Sequence, residues 1–507
     1  MALPASGEIS MAQIQTEFGG TDPISLSEYY GVAAGIPASG AIKLSDFYGT
    51  GLALYTPITI DNPNTYGTAS GDNFGNSVAT SPTYTIIGAS SEDDAGGLSS
   101  GKAYIFLNST GALLHTLDNP NNYGTSASDY FGRAVDCSEK YSLVSADWEQ
   151  SAEGIYVGVA YVFDNATGAL LHTLENPNAY GTGAADFFGS AVACTDTHAV
   201  IGAYSEGDAS GTKSGKAYIF NIVTGALLYT LDNPNPYGTS LNDFFGYSVD
   251  CTDTYTIVGA LYEDETDNTD SGKAYIFLNS TGALHKTLDN PNAFGTSGSD
   301  YFGNAVACSE LYSVVGAYRE DDAGGYTDAG KAYIFLNSTG ALLHTLENPE
   351  PYGTRRRGYF GFSVDCTDNY TIVGASEEDE VGNTKSGKVF IFNSATGELL
   401  STLNNPNAYG TSKDDRFGYS VSCTDTHAII GTFQEDEAGG TGSGKAYIYS
   451  LIGLALYTPM TATGGTITTY VDGSGRTFKL HKFTGSGTFD VTAVSYTHLT
   501  LPTNREV

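Results

Sequence analysis

The chain repeats a Phe-Gly dipeptide at a near-constant interval of 57 or 58 residues. An Asn-Pro pair recurs in step with it, and each unit from the second onward carries one cysteine at the same place. A fixed period of this length indicates an array of equivalent supersecondary units. We therefore predict that residues 61 to about 460 form one array of seven units. The repeated phenylalanines are Phe74, Phe131, Phe188, Phe245, Phe302, Phe360 and Phe417.

The fourth unit shows what one repeat contains. The runs FGYSVDC, YTIVGA, KAYIFLN and ALHKTL are separated by segments rich in Asn, Pro, Gly, Ser and Asp, which is typical of strands joined by turns. In the first run Phe245, Val249 and Cys251 share one face because side chains alternate along a strand. Sheets stacked around an axis bury such faces and leave only short edges. The sequence predicts an all-β fold, a seven-bladed β-propeller of four-stranded antiparallel blades.

Ring closure has two solutions in the sequence. The phrase GLALYTP occurs at residues 51–57, before the first Phe-Gly, and again at residues 453–459, after the last third strand. Both copies are similar to the fourth-strand phrase of the other repeats, but only one fourth-strand position is vacant. Either the N-terminal copy closes the ring against the far end of the chain, or the C-terminal copy fills the position locally.

The net charge restricts the partners. Lys and Arg number 22 against 57 for Asp and Glu, so the net charge is −35. Because a phosphate backbone or an anionic membrane would be repelled over most of this surface, we expect no nucleic-acid binding. The N-terminal residues show no basic segment before an apolar stretch, and no long apolar run occurs in the chain. We therefore predict no membrane insertion and no export signal.

These residues carry a family resemblance. Phe-Gly opens the first strand, Ile-Val-Gly-Ala ends the second at residues 257–260 and 372–375, and Gly-Lys-Ala-Tyr-Ile-Phe begins the third. The pattern resembles the FG-GAP repeat of integrin α-subunit propellers and their microbial relatives, a fold that hosts adhesion, ligand binding and some enzymes. The family commonly binds calcium between the first and second strands. Here that loop is as short as residues 251–255, so this calcium site is not carried over.

The flanks differ from the array. Residues 1–50 contain the paired phrases PASGEI and PASGAI, and they resemble a module at the N-termini of tail-associated proteins of tailed phages. Residues 461–493 are similar to the glycine-rich β modules that end many phage tail proteins. Residues 494–507 resemble a translated sequencing-adapter artefact, so the glycine-rich segment is expected to be truncated. The predicted organisation is residues 1–50 for attachment, 51–460 for the propeller, 461–493 for the β segment, and 494–507 as artefact.

Two patterns resemble catalytic or nucleotide-binding motifs, and the repeat accounts for both. Residues 96–102 and 439–445 fit the spacing of a phosphate-binding loop, but alanine stands where a magnesium-binding hydroxyl is required, and a strand follows. Cys194 and His198 have the spacing of a nucleophile and base, yet sister units place tyrosine at the histidine position. We expect buried free thiols, no catalytic residues and no enzymatic activity.

Acidic residues in the loops are the candidate metal ligands. One Asp precedes the Phe-Gly in six units, and a second acidic group lies between the second and third strands. Because these loops emerge on the same face of a propeller, the two sets are expected to meet. Two carboxylates about 4 Å apart repel by roughly 4 kcal/mol at an effective dielectric constant of about 20. They must therefore point into water, accept backbone N–H bonds or share a cation, for which hard oxygen ligands would select Ca²⁺.

The alternative interpretation of these acids is a set of solvated turns in which Asp caps a bend. The candidate ligands are Asp72, Glu92, Asp93, Asp129, Asp186, Glu206, Asp243, Glu263, Asp264, Asp300, Glu320, Asp321, Asp415, Glu435 and Asp436.

Two units depart from the pattern. The sixth has Gly358 in place of the Asp, and we hypothesise that Arg355, Arg356 and Arg357 act there as a built-in cation facing residues 377–380. The second contains the only tryptophan, Trp148, in a loop on the acidic face. An aromatic side chain in a variable loop is a common recognition anchor, so Trp148 and the three arginines are the candidate ligand-binding residues. A plain packing role for Trp148 is an equal alternative.

The function predicted from the sequence is that of a non-enzymatic structural and adhesion protein of a phage virion. It would bind a host-surface glycan or protein through one propeller face and other tail proteins through residues 1–50, after assembly in the host cytoplasm. Two alternatives stay open. One is an integrin-like cellular adhesin at the extracellular surface, and the other is a carbohydrate-active enzyme that uses clustered acids. The recurrence of the acids in nearly every unit disfavours the enzyme.

Overall fold

The computed structural model describes most of the array and four strands beyond it. The described residues are 57–64, 71–93, 97–121, 127–150, 156–177, 186–207, 213–235, 242–264, 270–291, 299–321, 328–349, 358–379, 385–407, 414–436, 442–452, 462–463, 466–471, 477–482 and 490–491. Every regular element among them is a strand, so none of these residues belongs to a helix that could cross a membrane. Residues 1–50 and 494–507 lie outside the described residues.

The array forms seven four-stranded sheets within the described residues, which confirms the seven-bladed propeller. Strand β1 (Ile58–Asp61) precedes the first complete blade. Blade one comprises β2 (Phe74–Thr80), β3 (Tyr84–Ala89), β4 (Lys102–Leu107) and β5 (Leu113–Asp118). Blade two comprises β6 (Val135–Cys137), β7 (Tyr141–Ala146), β8 (Val159–Asp164) and β9 (Leu170–Glu175). Blade three comprises β10 (Val192–Cys194), β11 (His198–Ala203), β12 (Lys216–Asn221) and β13 (Ala226–Asp232).

The remaining blades follow the same plan. Blade four comprises β14 (Phe245–Cys251), β15 (Tyr255–Ala260), β16 (Lys273–Leu278) and β17 (Ala283–Asp289). Blade five comprises β18 (Val306–Cys308), β19 (Tyr312–Ala317), β20 (Lys331–Leu336) and β21 (Ala341–Glu347). Blade six comprises β22 (Phe360–Cys366), β23 (Tyr370–Ala375), β24 (Lys388–Asn393) and β25 (Leu399–Asn404). Blade seven contains β26 (Ser420–Cys423), β27 (His427–Thr432) and β28 (Lys445–Ser450).

The N-terminal strand closes the ring. In blade seven β1 pairs antiparallel with β28, with Ile58 opposite Ile448 and Asp61 opposite Lys445. Lys445 Nζ lies 3.0 Å from Asp61 Oδ1, which repeats the Lys102–Asp118 pair of blade one. The chain following the N-terminal copy of GLALYTP therefore supplies the missing outer strand, and the first of the two closure alternatives is correct.

Glycine fixes the distance between neighbouring blades. A Cβ on Gly259 of blade four would stand 2.1 Å from the carbonyl oxygen of Gly303, the glycine of the next Phe-Gly pair. The same close approach joins Gly431 of blade seven to Gly75 of blade one, where the distance is again 2.1 Å. Because the last interface repeats the internal ones, the seven blades form a closed ring. The Phe-Gly and Gly-Ala pairs of the repeat are thus the two sides of one interface.

The core lies between neighbouring blades. Phe245, Val249 and Cys251 pack in one buried cluster with residues of the preceding blade, which confirms the predicted shared face. The ring of Phe245 meets Tyr275 and Phe277 at centroid distances of 5.8 and 6.0 Å. All six cysteines are buried and free, as predicted, and burial raises the pKa of each thiol, so they are poor nucleophiles.

Three aspartates on the innermost strands tie neighbouring blades together around the axis. Asp250 accepts the backbone N–H of Cys251 at 2.8 Å and that of Cys308, in the next blade, at 2.6 Å. Asp136 and Asp365 do the same for the cysteines of blades two and three and of blades six and seven. The seventh N–H, that of Thr80, bonds the Ser422 hydroxyl at 3.2 Å. Each aspartate accepts two of the seven equivalent backbone N–H groups around the axis, and the serine accepts the seventh. All seven N–H groups therefore have a hydrogen-bond partner although the number of blades is odd.

The outer strands and the C-terminal segment complete the description. The first residues of the outer strands carry partly exposed leucines, among them Leu113, Leu170 and Leu284, whose exposed fractions are 42, 43 and 44%. A separate C-terminal unit spans residues 455–507. In it β29 (Ala462–Thr463) pairs with β32 (Asp490–Val491), and β30 (Thr466–Val471) pairs with β31 (Thr477–Lys482).

Candidate binding face

The two predicted acidic sets meet on one face of the ring. This loop face is formed by the segments that enter the first strand of each blade and those that join the second strand to the third. In blade four the N–H of Tyr262, one residue before Glu263, bonds the backbone oxygen of Asp243 at 3.3 Å. Burial is the main cause of the raised pKa of Glu263, and the nearby Asp243 carboxylate raises it further. The predicted juxtaposition of the two sets is therefore present.

Buried tyrosines donate to the glutamates. Glu263 is fully buried, and Tyr275 Oη donates to its Oε1 at 2.5 Å. Burial raises the pKa of Glu263 to about 8, although the tyrosine bond lowers it. Burial likewise raises the pKa of the equivalent glutamates in other blades. The value is about 7 for Glu92, Glu149 and Glu206, and about 8 for Glu435. The equivalent pairs are Tyr104–Glu92, Tyr161–Glu149, Tyr218–Glu206, Tyr333–Glu320 and Tyr447–Glu435.

The repeated Asn-Pro segment holds the aspartates. Asp243 Oδ2 accepts the side-chain amides of Asn233 at 3.0 Å and Asn235 at 2.8 Å, while the N–H of Asn235 bonds Asn233 Oδ1 at 3.0 Å. Burial raises the pKa of Asp243 despite these bonds. Each of the other aspartates in this set, Asp72, Asp129, Asp186, Asp300 and Asp415, accepts at least one asparagine amide.

The third group of acids caps the loops between the second and third strands. Asp264 is exposed, and its Oδ1 accepts the backbone N–H of Asp270 at 2.9 Å. Asp93, Asp321 and Asp436 accept an N–H six or seven residues ahead in the same way. These acids have the geometry of the capping interpretation that the sequence left open.

The fit to calcium follows from these partners. Each buried cluster except that of blade six contains two acidic side chains, which accept hydrogen bonds from tyrosine and asparagine. Among the described residues, Oε2 of Glu206, Glu263 and Glu435 is buried without a hydrogen-bond partner. Within the described ranges no three or more His, Cys, Asp or Glu side chains come together as a set that could hold a metal ion. Hydrogen bonds and the raised pKa values of the glutamates reduce the repulsion between the close carboxyls, and Ca²⁺ binding stays a prediction.

Blade six rearranges the cluster. Phe390 replaces the donor tyrosine and Gly358 replaces the aspartate. The carboxylate of Glu378 occupies the vacated space, where Oε2 lies 2.4 Å from the position of a Cβ on Gly358 and accepts the Asn348 amide at 2.7 Å. Glu377 pairs with Lys385 at 3.0 Å and with Arg416 at 3.1 Å. The predicted cations Arg355, Arg356 and Arg357 lie outside the described residues.

Trp148 belongs to a continuous aromatic surface on the loop face. Its ring lies 5.3 Å from Phe187, and half-buried rings then follow one another across blades three to five at centroid distances of 5.0 to 5.2 Å. Tyr130 and Tyr156 contact Trp148 from its other sides, at 6.1 and 5.7 Å. We name the series of six rings the aromatic arc. It consists of Trp148, Phe187, Tyr204, Phe244, Tyr262 and Tyr301.

Sequence reasoning missed three groups of residues on this face and along the axis. The buried tyrosines stand 12 or 13 residues after their glutamates, and tyrosine is absent only in the unit that also lacks the aspartate. The arc residues, of which the sequence had singled out Trp148, stand either directly before the repeated phenylalanine or one or two residues before the repeated glutamate. The axial Asp136, Asp250 and Asp365 alternate with Ala or Ser along the units. Comparison of aligned units would have found each signal.

Comparison with known families agrees with this architecture. Six segments match the FG-GAP repeat family: residues 66–106, 179–220, 236–277, 293–335, 354–392 and 407–449. Blade two, which contains Trp148, lies between the first two matched segments and is covered by none of the six. No curated protein matches the chain. The chain therefore contains six FG-GAP repeats, and the seven blades of the described residues form a closed β-propeller.

Proposed function

We propose that the chain is a non-enzymatic adhesion protein of a virion, and that its loop face binds a host-surface glycan or protein. The observation that carries the proposal is where the blades differ. The buried glutamate is present in all seven blades, whereas the residue directly before it is Ser91, Trp148, Ser205, Tyr262, Arg319, Glu377 or Gln434, and all of these except Ser205 keep part of their surface exposed on the loop face. A repeated scaffold that varies at one face is suited to selective recognition.

The recurrence, burial and hydrogen bonding of the loop glutamates support a binding function over a hydrolytic one. A general acid and base act at one pocket on one substrate, whereas these carboxyls recur around the ring. Glu206, Glu263 and Glu320 are all 0% exposed, and each accepts a tyrosine hydroxyl. Buried and bonded side chains of this kind stabilise the blades and are withdrawn from a ligand on the surface.

The virion assignment rests on the flanking resemblances. Residues 1–50 are similar to modules of tail-associated phage proteins, and we assign them the contact with other tail proteins. A rigid ring at the end of such an anchor would present its loop face to the host. Assembly would take place in the host cytoplasm, which is consistent with six unpaired cysteines.

The experiment is capture of intact cells by the immobilised full chain, over a panel of bacterial species. The test variant carries Trp148→Ala, Tyr204→Ala and Tyr262→Ala, which removes aromatic area from the loop face. The matched control carries Leu113→Ser, Leu170→Ser and Leu284→Ser, which removes exposed apolar area from the outer strands. We expect the test variant to lose at least tenfold in capture and the control to retain it. Equal capture by both variants would contradict the assignment of the loop face.

A further inference from the structure

We infer that the loop face binds an uncharged glycan, whose sugar rings lie on the aromatic arc. This inference rests on the proposed adhesion function and adds the class of ligand and the residues that hold it. A pyranose ring presents C–H groups on its faces and hydroxyls at its edge, so it can pack on the exposed parts of aromatic rings that polar groups border. Four of the five contacts along the arc are tilted or edge-to-face, with interplanar angles of 55 to 85°, so neighbouring rings present differently oriented surfaces.

The first argument is the continuity of the arc. Five successive ring contacts, each with centroids 5.0 to 5.3 Å apart, join blade two to blade five. All six rings are half-buried, so each keeps part of its surface in contact with solvent. Neighbouring rings are spaced by about the length of one sugar residue. A linear oligosaccharide could therefore contact several of them in succession, which raises affinity without a deep pocket.

The second argument is backbone strain. The residue directly before the repeated phenylalanine is left-handed in all seven blades, with φ between 54° and 60°. Blade one places Asn73 there, a residue that tolerates this conformation, but blades three and four place Phe187 and Phe244. A bulky residue at positive φ is strained, and strain of this kind concentrates at binding sites. The fold does not need an aromatic residue at this position, since blade one manages without one.

The third argument is charge. The net charge of −35 and the exposed Asp93, Asp264 and Asp321 of the loop face would repel sialic acid, uronic acid or phosphate groups. Sugar hydroxyls can instead donate to such carboxylates. The guanidinium of Arg319 already lies over Tyr301, 4.9 Å from its centroid. The chain's own cation therefore covers Tyr301 and leaves the other five rings of the arc for the ligand.

The internal control for the test is blade one. Phe187→Asn and Phe244→Asn together install the residue that blade one uses at the same backbone position. Because asparagine tolerates positive φ, we expect this double variant to fold and to melt within a few degrees of the parent protein. Phe187→Tyr with Phe244→Tyr serves as the conservative variant that keeps both rings.

The assay uses an array of neutral, amino and anionic oligosaccharides, followed by titration of the best neutral probe. Trp148 is the only tryptophan and belongs to the arc, so its fluorescence reports ligand at the proposed site. We expect neutral oligosaccharides to bind and to shift the Trp148 emission. The asparagine double variant should bind at least tenfold more weakly, and the tyrosine double variant within about threefold of the parent.

Three outcomes would overturn the inference. Binding confined to anionic sugars would exclude an uncharged ligand. Neutral-sugar binding that the asparagine double variant leaves unchanged would exclude the arc. Cell capture that survives periodate oxidation of the cell-surface sugars but not protease treatment would identify a protein ligand, and adhesion would stand. If the parent protein captured no cells of any species, the proposed function itself would fail.

Discussion

Blades four and six have the same four-stranded backbone, but their buried glutamates have different hydrogen-bond partners. In blade four Tyr275 donates to Glu263, and two asparagines hold Asp243 beside it. In blade six phenylalanine replaces the tyrosine, and Glu378 turns to the asparagine amide in the space that Gly358 leaves free. The difference shows that the donor tyrosine, the glutamate and the aspartate act as one unit. When the donor is lost, the aspartate is absent too and the glutamate takes its hydrogen bond.

The largest expected effect is the pH dependence that these units give to the whole ring. Burial raises the pKa of Glu263 to about 8 from an ordinary value of 4.5, so the folded state holds a proton that the unfolded state releases. The stability from this group is fully present below pH 4.5 and is lost as pH rises through 8. For Glu263 alone we expect the free energy of unfolding to fall by about 3 kcal/mol between pH 5 and 8, and the sister glutamates add losses in the same direction.

Chemical denaturation across that pH range measures the effect, and Glu263→Gln is the control. The amide still accepts the Tyr275 hydroxyl but does not titrate, so its slope of stability against pH should be shallower than that of the parent. Identical slopes would mean that general charge repulsion causes the trend. A stability that increased from pH 5 to 8 would contradict the assignment of buried, protonated glutamates.

The second prediction removes the centre of the unit in blade four. Glu263→Ala leaves a cavity and strands the hydroxyl of Tyr275, so we expect a loss of about 3 kcal/mol in the free energy of unfolding. Asp264→Ala, one residue later on the exposed loop, is the matched control and should cost under about 1 kcal/mol. Thermal and urea unfolding of the two variants would check both values. Equal losses would show that burial of the glutamate contributes nothing specific.

The third prediction forces the pattern of the sister blades onto blade six. Gly358→Asp places a side chain where Glu378 Oε2 already lies, at 2.4 Å from the new Cβ, and should cost about 2 kcal/mol. Adding Phe390→Tyr restores a donor that draws Glu378 back, so the Asp can accept the Asn348 amide. The double variant should be at least about 1 kcal/mol more stable than the sum of the single changes predicts. Strict additivity in urea unfolding would refute the coupled unit.

The smallest expected effect is removal of one hydroxyl. Tyr275→Phe gives blade four the residue of blade six but keeps Asp243 in place, so the glutamate loses its donor without gaining another. We expect a loss of about 1 kcal/mol. The change should also raise the pKa of Glu263 further, because the tyrosine bond lowers it. Titration of the carboxyl by NMR would test the direction, and a lowered pKa would contradict it.

Much of the fold was predictable because the repeat leaves little choice. A unit of four short strands cannot bury its faces alone, and seven copies with a constant period favour a ring. The pairing of Phe-Gly with Gly-Ala across five of the seven interfaces is a further consequence of the same motif. Sequence reasoning also placed the two acidic sets on one face, because the order of strands and loops determines which loops are neighbours.

The partners of the acids were harder to predict. Glu263 and Tyr275 lie on different elements of the blade, and only the antiparallel register brings their side chains together. The alternation of Asp136, Asp250 and Asp365 is visible in the sequence, but their bridging role requires the innermost strands of two blades to lie side by side. Such contacts depend on distances between elements, which the period alone leaves undetermined.

By itself the sequence determined the number of blades, the strands within each blade and the face on which the loops gather. These properties follow from the alternation of side chains along each strand, the turn residues and the constant period of the repeat, all of which can be seen in the amino-acid sequence. Tertiary structure decided that β1 closes the ring, that tyrosines and asparagines satisfy the buried acids, and that single aromatic residues of separate blades join into one arc. These features depend on contacts between distant segments, and only the closed ring brings those segments together.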